Sequence, residues 1–254
     1  MLLAISQEIA NITITVGGSG SQVYNDMIDY TFDTSANSGT GSVNYFISLD
    51  VPDAMDYVGI AGHNLGSLGC KITIENNGVN DVVDYEPIDD RPIMFDIPQR
   101  AGSNIVIEIV KPNNTDVVTI SHIACGKTTD LTGTTTSGQS LNRDYEAGYS
   151  RIPMAVNRKV RATVNQSGAP TATLTKTVSA KMKLNIKNMP TPFAKLQLLE
   201  YQNFWVNNGF FMQNDGEVDQ SYMAFQFTST PPKAHPATRD LVNLSYQFLA
   251  YNGQ

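Results

Sequence analysis

The sequence predicts a mainly β protein: an N-terminal jelly-roll-type β-sandwich followed by a second β-sheet domain with one packed helix. Three observations lead there. Charged residues make up only 16% of the 254, against roughly 25% in ordinary soluble domains. Polar surface therefore falls to Thr, Ser, Asn, Gln and Gly, which suit strands and turns better than solvated helices. Apolar residues also recur with a period of two in short runs, and turn-forming clusters separate those runs.

Taken in order, Tyr45–Val51 alternates in part and Tyr57–Gly62 is a short continuous apolar run. Cys70–Glu75 alternates cleanly, with Cys70, Ile72 and Ile74 on one face and Lys71, Thr73 and Glu75 on the other. Ile105–Val110 and Val117–Ala124 repeat the pattern. Turns are expected at Asn76–Gly78, Ile97–Gly102 and Lys111–Thr115. The stretch Thr128–Ser140, rich in Thr, Gly and Ser, marks a boundary. The expected division is a sandwich over 1–128, a linker or arm over 129–148 and a second domain over 149–254.

That second domain opens on an expected hairpin. Val156, Val160, Ala162 and Val164 share a face with Arg158, while Asn157, Lys159, Arg161 and Thr163 share the other. After the turn Gln166–Pro170 a return strand is expected over Lys176–Lys187, where Met182, Leu184 and Ile186 alternate with Lys181, Lys183 and Lys187. A helix is predicted over about 191–206, with Thr191 as N-cap, Pro192 in the first turn and Gly209 beyond its end. Phe193, Leu196, Leu198, Leu199, Tyr201, Phe204 and Trp205 cover well over half its circumference, so it must be packed against a sheet or a neighbour. Phe210–Gln213, Ser221–Thr228 and Leu241–Tyr251 read as strands.

Charge divides unevenly. Residues 1–145 hold 6 Lys/Arg against 18 Asp/Glu, and residues 146–254 hold 11 against 6. An acidic first half and a basic second half suit two units with different surroundings, and the basic side chains Arg158, Lys159, Arg161, Lys181, Lys183 and Lys187 are the interface candidates. No apolar run reaches the ~18 residues of a membrane span, and the N-terminal residues lack the basic, then apolar, pattern of a secretory signal. Cys70 and Cys125 lie in apolar strand-like contexts and are expected as free, buried thiols.

Catalytic chemistry is sparse. Of the three histidines, His63 falls in a Gly-rich turn, where local hydrogen bonding is expected, His122 lies inside an apolar strand and His235 in a loop. The chain holds no H-x-x-H or C-x-x-C pair, and its Gly-Ser-Gly and Gly-Thr-Gly stretches precede no G-K-[ST]. No enzyme activity and no cofactor are expected. The acidic series Asp81, Asp84, Glu86, Asp89 and Asp90 is the best metal candidate, with Asp81, Asp84, Asp89 and Asp90 as possible calcium ligands, although its spacing matches no EF-hand. Tyr145, Tyr149, Trp205 and Tyr222 are candidate platforms for a sugar ring, with core packing the expectation for Trp205 and Tyr222. The basic stripe is read as a protein contact, since no aromatic interleaves with its lysines and sequence-specific nucleic-acid binding is not expected.

Two stretches carry a resemblance. Tyr57-Val-Gly-Ile-Ala-Gly-His-Asn-Leu-Gly-Ser-Leu-Gly-Cys70 resembles a segment of virion proteins of tailed bacteriophages, where a buried strand ends in a His-Asn-Leu-Gly turn. The region from Phe210 to Gly253 resembles the ending of the same group. The resemblance implies a discoidin- or galactose-binding-like sandwich followed by a domain similar to the tail-tube-like domain of distal tail and baseplate proteins. It implies a virion structural subunit, made in the bacterial host cytoplasm, that forms or decorates a ring in the tail, neck adaptor or baseplate. Its partners would be copies of itself and other tail proteins. The alternative expectation is a carbohydrate-binding module that contacts host surface glycans.

Overall fold

In the computed structural model the described residues are 2–6, 11–16, 21–23, 36–37, 43–50, 55–100, 104–130, 142–145, 158–164, 170–176, 179–194, 209–213, 218–234 and 240–251. They form antiparallel sheets with short helical turns, a mainly β, sandwich-like architecture. The chain divides into two compact units. Unit 1 takes Met1–Gly133 together with Asn207–Met223, and unit 2 takes Thr134–Val206 with Ala224–Asn252.

Unit 1 begins with β1 (Leu2–Ser6), β2 (Asn11–Val16), β3 (Ser21–Val23) and β4 (Ala36–Asn37). Then come β5 (Asn44–Asp50), β6 (Tyr57–His63), a one-turn helix α1 (Leu65–Leu68) and β7 (Lys71–Asn76). The remainder is β8 (Val79–Tyr85), β9 (Ile93–Asp96), β10 (Asn104–Val110) and β11 (Thr119–Asp130). One sheet has the order β3-β2-β5-β10-β7-β8, and a second places β11 between β1 and β6 with β9 beyond β6.

Alternation explains why these two sheets face each other. Tyr45, Ile47 and Leu49 of β5, Ile105, Ile107 and Ile109 of β10, and Ile72 and Ile74 of β7 are all fully buried. They share one core with Val58 and Ile60 of β6, Ile93 and Phe95 of β9, and Ile120, Ile123 and Cys125 of β11. The intervening residues of β5, β10 and β7 are half-buried or exposed, as expected for an antiparallel sheet with one wet face. The turn between β7 and β8 is Asn77-Gly78, both at positive φ (51° and 80°), where Asn and Gly are the residues that tolerate it.

The sheet holding β6 is buried on both faces. Opposed to Val58 and Ile60, the residues Tyr57, Gly59 and Ala61 are buried too, as are Met94 of β9 and His122 and Ala124 of β11, which pair with them across the ladder. Their cover comes from the returning segment, which contains β16 (Gly209–Gln213, after β12–β15 below) and a 3₁₀ turn over Val218–Gln220. Phe211 sits over Gly59, and its ring stacks on His122 at 6.0 Å and tilts against Tyr57 at 6.4 Å. Gln213 donates to the Met94 carbonyl at 2.6 Å. The sandwich is therefore completed by residues far along the chain, a layer absent from the expected 1–128 domain.

Unit 2 holds β12 (Asn142–Tyr145), β13 (Arg158–Val164), β14 (Pro170–Lys176), β15 (Ser179–Pro190), α2 (Thr191–Phe193) and β18 (Leu241–Tyr251). It also takes β17 (Ser221–Ala234) from Ala224 onward. Here β15 lies between β12 and β18, β17 lies beside β18, and β13 and β14 pair only with each other.

Three differences from the sequence reading stand out. The return strand of the hairpin is β14, not Lys176–Lys187: the register sets Pro170 opposite Val164 and Lys176 opposite Arg158, so β13 is fully paired before β15 begins. β15 pairs instead with β18 over ten registered positions, with an irregularity between Ile186 and Met189. Asn142–Tyr145, inside the expected linker, is a strand that hydrogen-bonds to β15. The helix cap also shifts: Pro190, the last residue of β15, occupies the N-cap and Thr191 begins the helix, its N–H donating to the Asp240 carbonyl at 2.8 Å. The rest of the expected 191–206 helix lies outside the described residues, as do the Gln166–Pro170 turn apart from Pro170, His235, Tyr149 and Trp205.

Candidate functional site: a clamped turn and two charged sheet faces

The conspicuous turn of the sequence is the one after β6. His63 ends the strand with its Nδ1 accepting the Leu65 N–H at 3.3 Å. Burial holds the imidazole neutral, pushing its pKa down to about 4 even though Asp90 and Asp89 nearby and a hydrogen bond to the Arg91 backbone pull the other way. A buried ring with so low a pKa is a poor general base at neutral pH. Asn64 bonds across the fold rather than locally: its amide donates to the Val117 carbonyl at 2.9 Å and accepts the Thr119 N–H at 2.8 Å. It thereby fixes the start of β11.

The turn is also locked on its other side. A Cβ on Gly66 would lie 2.3 Å from the Asp89 carbonyl carbon and oxygen, so only glycine lets α1 approach the 86–91 loop this closely. Ser67 N–H donates to Asp90 Oδ1 at 2.8 Å. Gly69 ends α1 in the left-handed region at φ 65°. Every polar group named in this turn serves the backbone.

The calcium candidates do not converge. Asp81 and Asp84 lie on β8, and Asp89 and Asp90 lie beyond it. Asp81 pairs with Arg100, and Arg91 Nε contacts both oxygens of Asp89 at 2.7 and 2.8 Å. Burial works against the Asp89 charge, but the hydrogen bonds from Arg91 outweigh it and hold the carboxyl below its usual range. Asp90 is taken by Ser67, and Asp84 stands exposed at φ 51° with its N–H donating to Thr73 Oγ1 at 3.3 Å. Glu86 pairs with Lys71 at 3.4 Å. Among the described residues no group of three or more His, Cys, Asp or Glu is placed to hold a metal ion.

Other candidates resolve into packing. Tyr222 is fully buried, and His122 is a core residue on Phe211. Cys70 and Cys125 are free and buried, and burial pushes their thiols up to about 11 and about 12. Sequence reasoning missed Tyr85, whose hydroxyl donates to Asp219 and whose ring meets Phe95 edge-on at 5.1 Å. Burial first, and Asp219 second, push that phenol far above its ordinary pKa. This contact ties the end of β8 to the 218–220 turn of unit 1.

The basic candidates fall on two separate sheets of unit 2. Arg158, Lys159 and Arg161 belong to β13, opposite Lys176, Thr175 and Thr173. Lys181 and Lys183 belong to β15, opposite Leu249 and Gln247, and Lys187 lies opposite Asn142. On β18 the alternate residues Phe248 and Ala250 are buried while Gln247 is exposed, so the lysine positions fall on the more open face. Among the described residues no helix is long and apolar enough to cross a membrane.

No family model and no curated protein matches the sequence. Solved structures overlap it weakly. A pectin-binding carbohydrate-binding module is 15% identical with a TM-score of 0.36, covering 48% of this chain and 91% of its own. A Ruminococcus gnavus GH29 fucosidase is 18% identical with a TM-score of 0.35, covering 47% of this chain and 25% of its own. Truncated AlyQ, with CBM32 and alginate lyase domains, is 12% identical with a TM-score of 0.32, covering 72% of this chain and 53% of its own.

Proposed function

We propose that this chain is a structural subunit of a tailed-bacteriophage virion, forming or decorating a ring in the tail, neck adaptor or baseplate. Its sandwich corresponds in this reading to a discoidin-like jelly roll and its second unit to a tail-tube-like domain. The observation that carries the proposal is the His63–Gly69 turn. The residues on which the resemblance rests are committed to backbone contacts, with Asn64 clamping Val117 and Thr119 and Gly66 wedged on Asp89. That is the use expected of a scaffold motif and not of a reactive one. The opposed charge of the two halves supports assembly by end-to-end contact. Negative-stain electron microscopy and light scattering of the purified protein test it. Rings, or incorporation into particles, are expected; a strict monomer that joins no particle overturns it.

A second reading, a glycan-binding surface on the sandwich, is favoured by the half-buried loop Asp89-Asp90-Arg91, which offers charged groups suited to sugar hydroxyls. Against it, the large hydrophobic side chains described as exposed are Val43, Val79, Val83, Ile88 and Val117, none of them aromatic. A glycan array with wild type and Arg91→Ala tests it: binding lost in the variant supports this reading, and a blank array removes it.

A further inference from the structure

The β13–β14 hairpin has no second strand neighbour among the described residues. Two strands alone are marginally stable in water. The register opposes Val160 to Leu174, Ala162 to Ala172 and Val164 to Pro170, so six apolar positions share one face, with Arg158 and Lys176 opposed at its open end. Lys159, Arg161 and four threonines occupy the other face. From Ala147 to Leu199 the sequence holds nine Lys or Arg and no carboxylate, so the hairpin finds no counter-charge in its own stretch.

The wet face of the β5-β10-β7-β8 sheet has the complementary character. Phe46, Val106 and Val110 are half-buried there, beside Asp50, Glu75, Asp84, Glu86 and Glu108. The register sets Val106 between Ser48 and Glu75, and Glu108 between Phe46 and Thr73, so carboxylates and apolar groups interleave. Lys71 is the one amine on this face and is already paired with Glu86. The sheet edge itself resists strand addition: β8 meets β7 with two register irregularities, and Asp84 sits at φ 51°. The β8 edge is thus a poor place for a partner strand.

Resting on the ring-subunit reading, we propose that the β13–β14 hairpin of one copy lies across the wet face of the β5-β10-β7-β8 sheet of a second copy. Its apolar face covers Phe46, Val106 and Val110, and Arg158 and Lys176 reach Glu75 and Glu108. The contact is heterologous, joining different surfaces of successive copies, and so propagates into a ring if the rotation closes.

The test is sedimentation velocity on the full-length protein at low and high salt, with circular dichroism to establish that each variant is folded. Arg158→Glu with Lys176→Glu, or Glu75→Lys with Glu108→Lys, should each weaken self-association at least about tenfold. Combining all four should restore it to within about threefold of wild type, because the charges again oppose. Lys159→Glu with Arg161→Glu, on the other face, should weaken it less. Rings unaffected by either reversal overturn this interface while leaving the subunit reading intact. A chain that never self-associates overturns both. Retention of a labelled 30-base-pair DNA duplex by wild type but not by Arg158→Glu with Lys176→Glu, with self-association unchanged, assigns the hairpin to nucleic acid and overturns the proposal.

Discussion

Gly59 and Phe211 provide the sharpest test of how unit 1 is completed. A methyl group built on Gly59 would lie 2.7–2.8 Å from three carbons of the Phe211 ring. Ordinary contact begins near ~3.5 Å, so the ring must retreat by somewhat less than an ångström. Overpacking of this kind costs about 1–3 kcal/mol. The reduced freedom of the unfolded chain returns about 0.4–1 kcal/mol, since Gly59 is not among the glycines at positive φ. Gly59→Ala should therefore destabilise by about 1–2 kcal/mol. Phe211 is fully buried, and Phe211→Ala should cost about 3–5 kcal/mol. In the double variant the new methyl enters the space the ring vacated, so its cost disappears and the two changes couple by about 2 kcal/mol. Urea denaturation of all four proteins, followed by circular dichroism, completes the cycle. Additivity to within about 0.5 kcal/mol would show that the two residues do not touch and would remove the covering layer from the fold.

The remaining predictions are simpler. Asn64→Ala leaves the Thr119 N–H and the Val117 carbonyl without their partner and should cost about 2–3 kcal/mol in the same denaturation assay; a change below about 0.5 kcal/mol would refute the clamp. His63 has a folded pKa near 4, below its ordinary 6.5, so its contribution is complete above pH ~6.5 and lost as pH falls toward 4, by about 3 kcal/mol. Stability measured from pH 7.5 to 4 should fall more steeply for wild type than for His63→Gln, and parallel curves would contradict this. The Asp89 carboxyl, held below its usual range, loses its contribution only at lower pH still. Cys70 and Cys125 should resist a thiol-reactive dye in the native protein and react on unfolding; rapid native labelling would contradict their burial.

Much of the sandwich was legible because its inner and outer residues alternate. Tyr45–Leu49, Ile72–Ile74 and Ile105–Ile109 place a large apolar side chain at every second position, and one buried face dictates that pattern. β8 escaped because its edge position asks for no alternation: Val79, Val83 and Asp84 are all exposed. The grouping of the calcium candidates has the same origin. Proximity in sequence gathered four carboxylates, of which the fold gives Asp81 to Arg100, Asp89 to Arg91 and Asp90 to the Ser67 N–H, and leaves Asp84 exposed. The hairpin partner was misassigned because β14 and β15 run nearly end to end, and alternation alone cannot say which of them turns back on β13. The return of Phe211 to Gly59 is the deepest omission, since period-two patterning is blind to contacts between distant segments. A signal did exist: a lone glycine inside an apolar strand commonly marks a close approach by another part of the chain.

The late arrival of Asn207–Met223 in unit 1 bears on how the protein is made. During translation the sandwich strands leave the ribosome well before the segment that roofs Tyr57, Gly59 and His122, so a greasy, unfinished surface must wait through the synthesis of β12 to β15. Residues are added at ~5–20 per second during synthesis, so that interval lasts seconds. A chain that ends before Gly209 lacks the strand whose Phe211 covers Gly59 and His122.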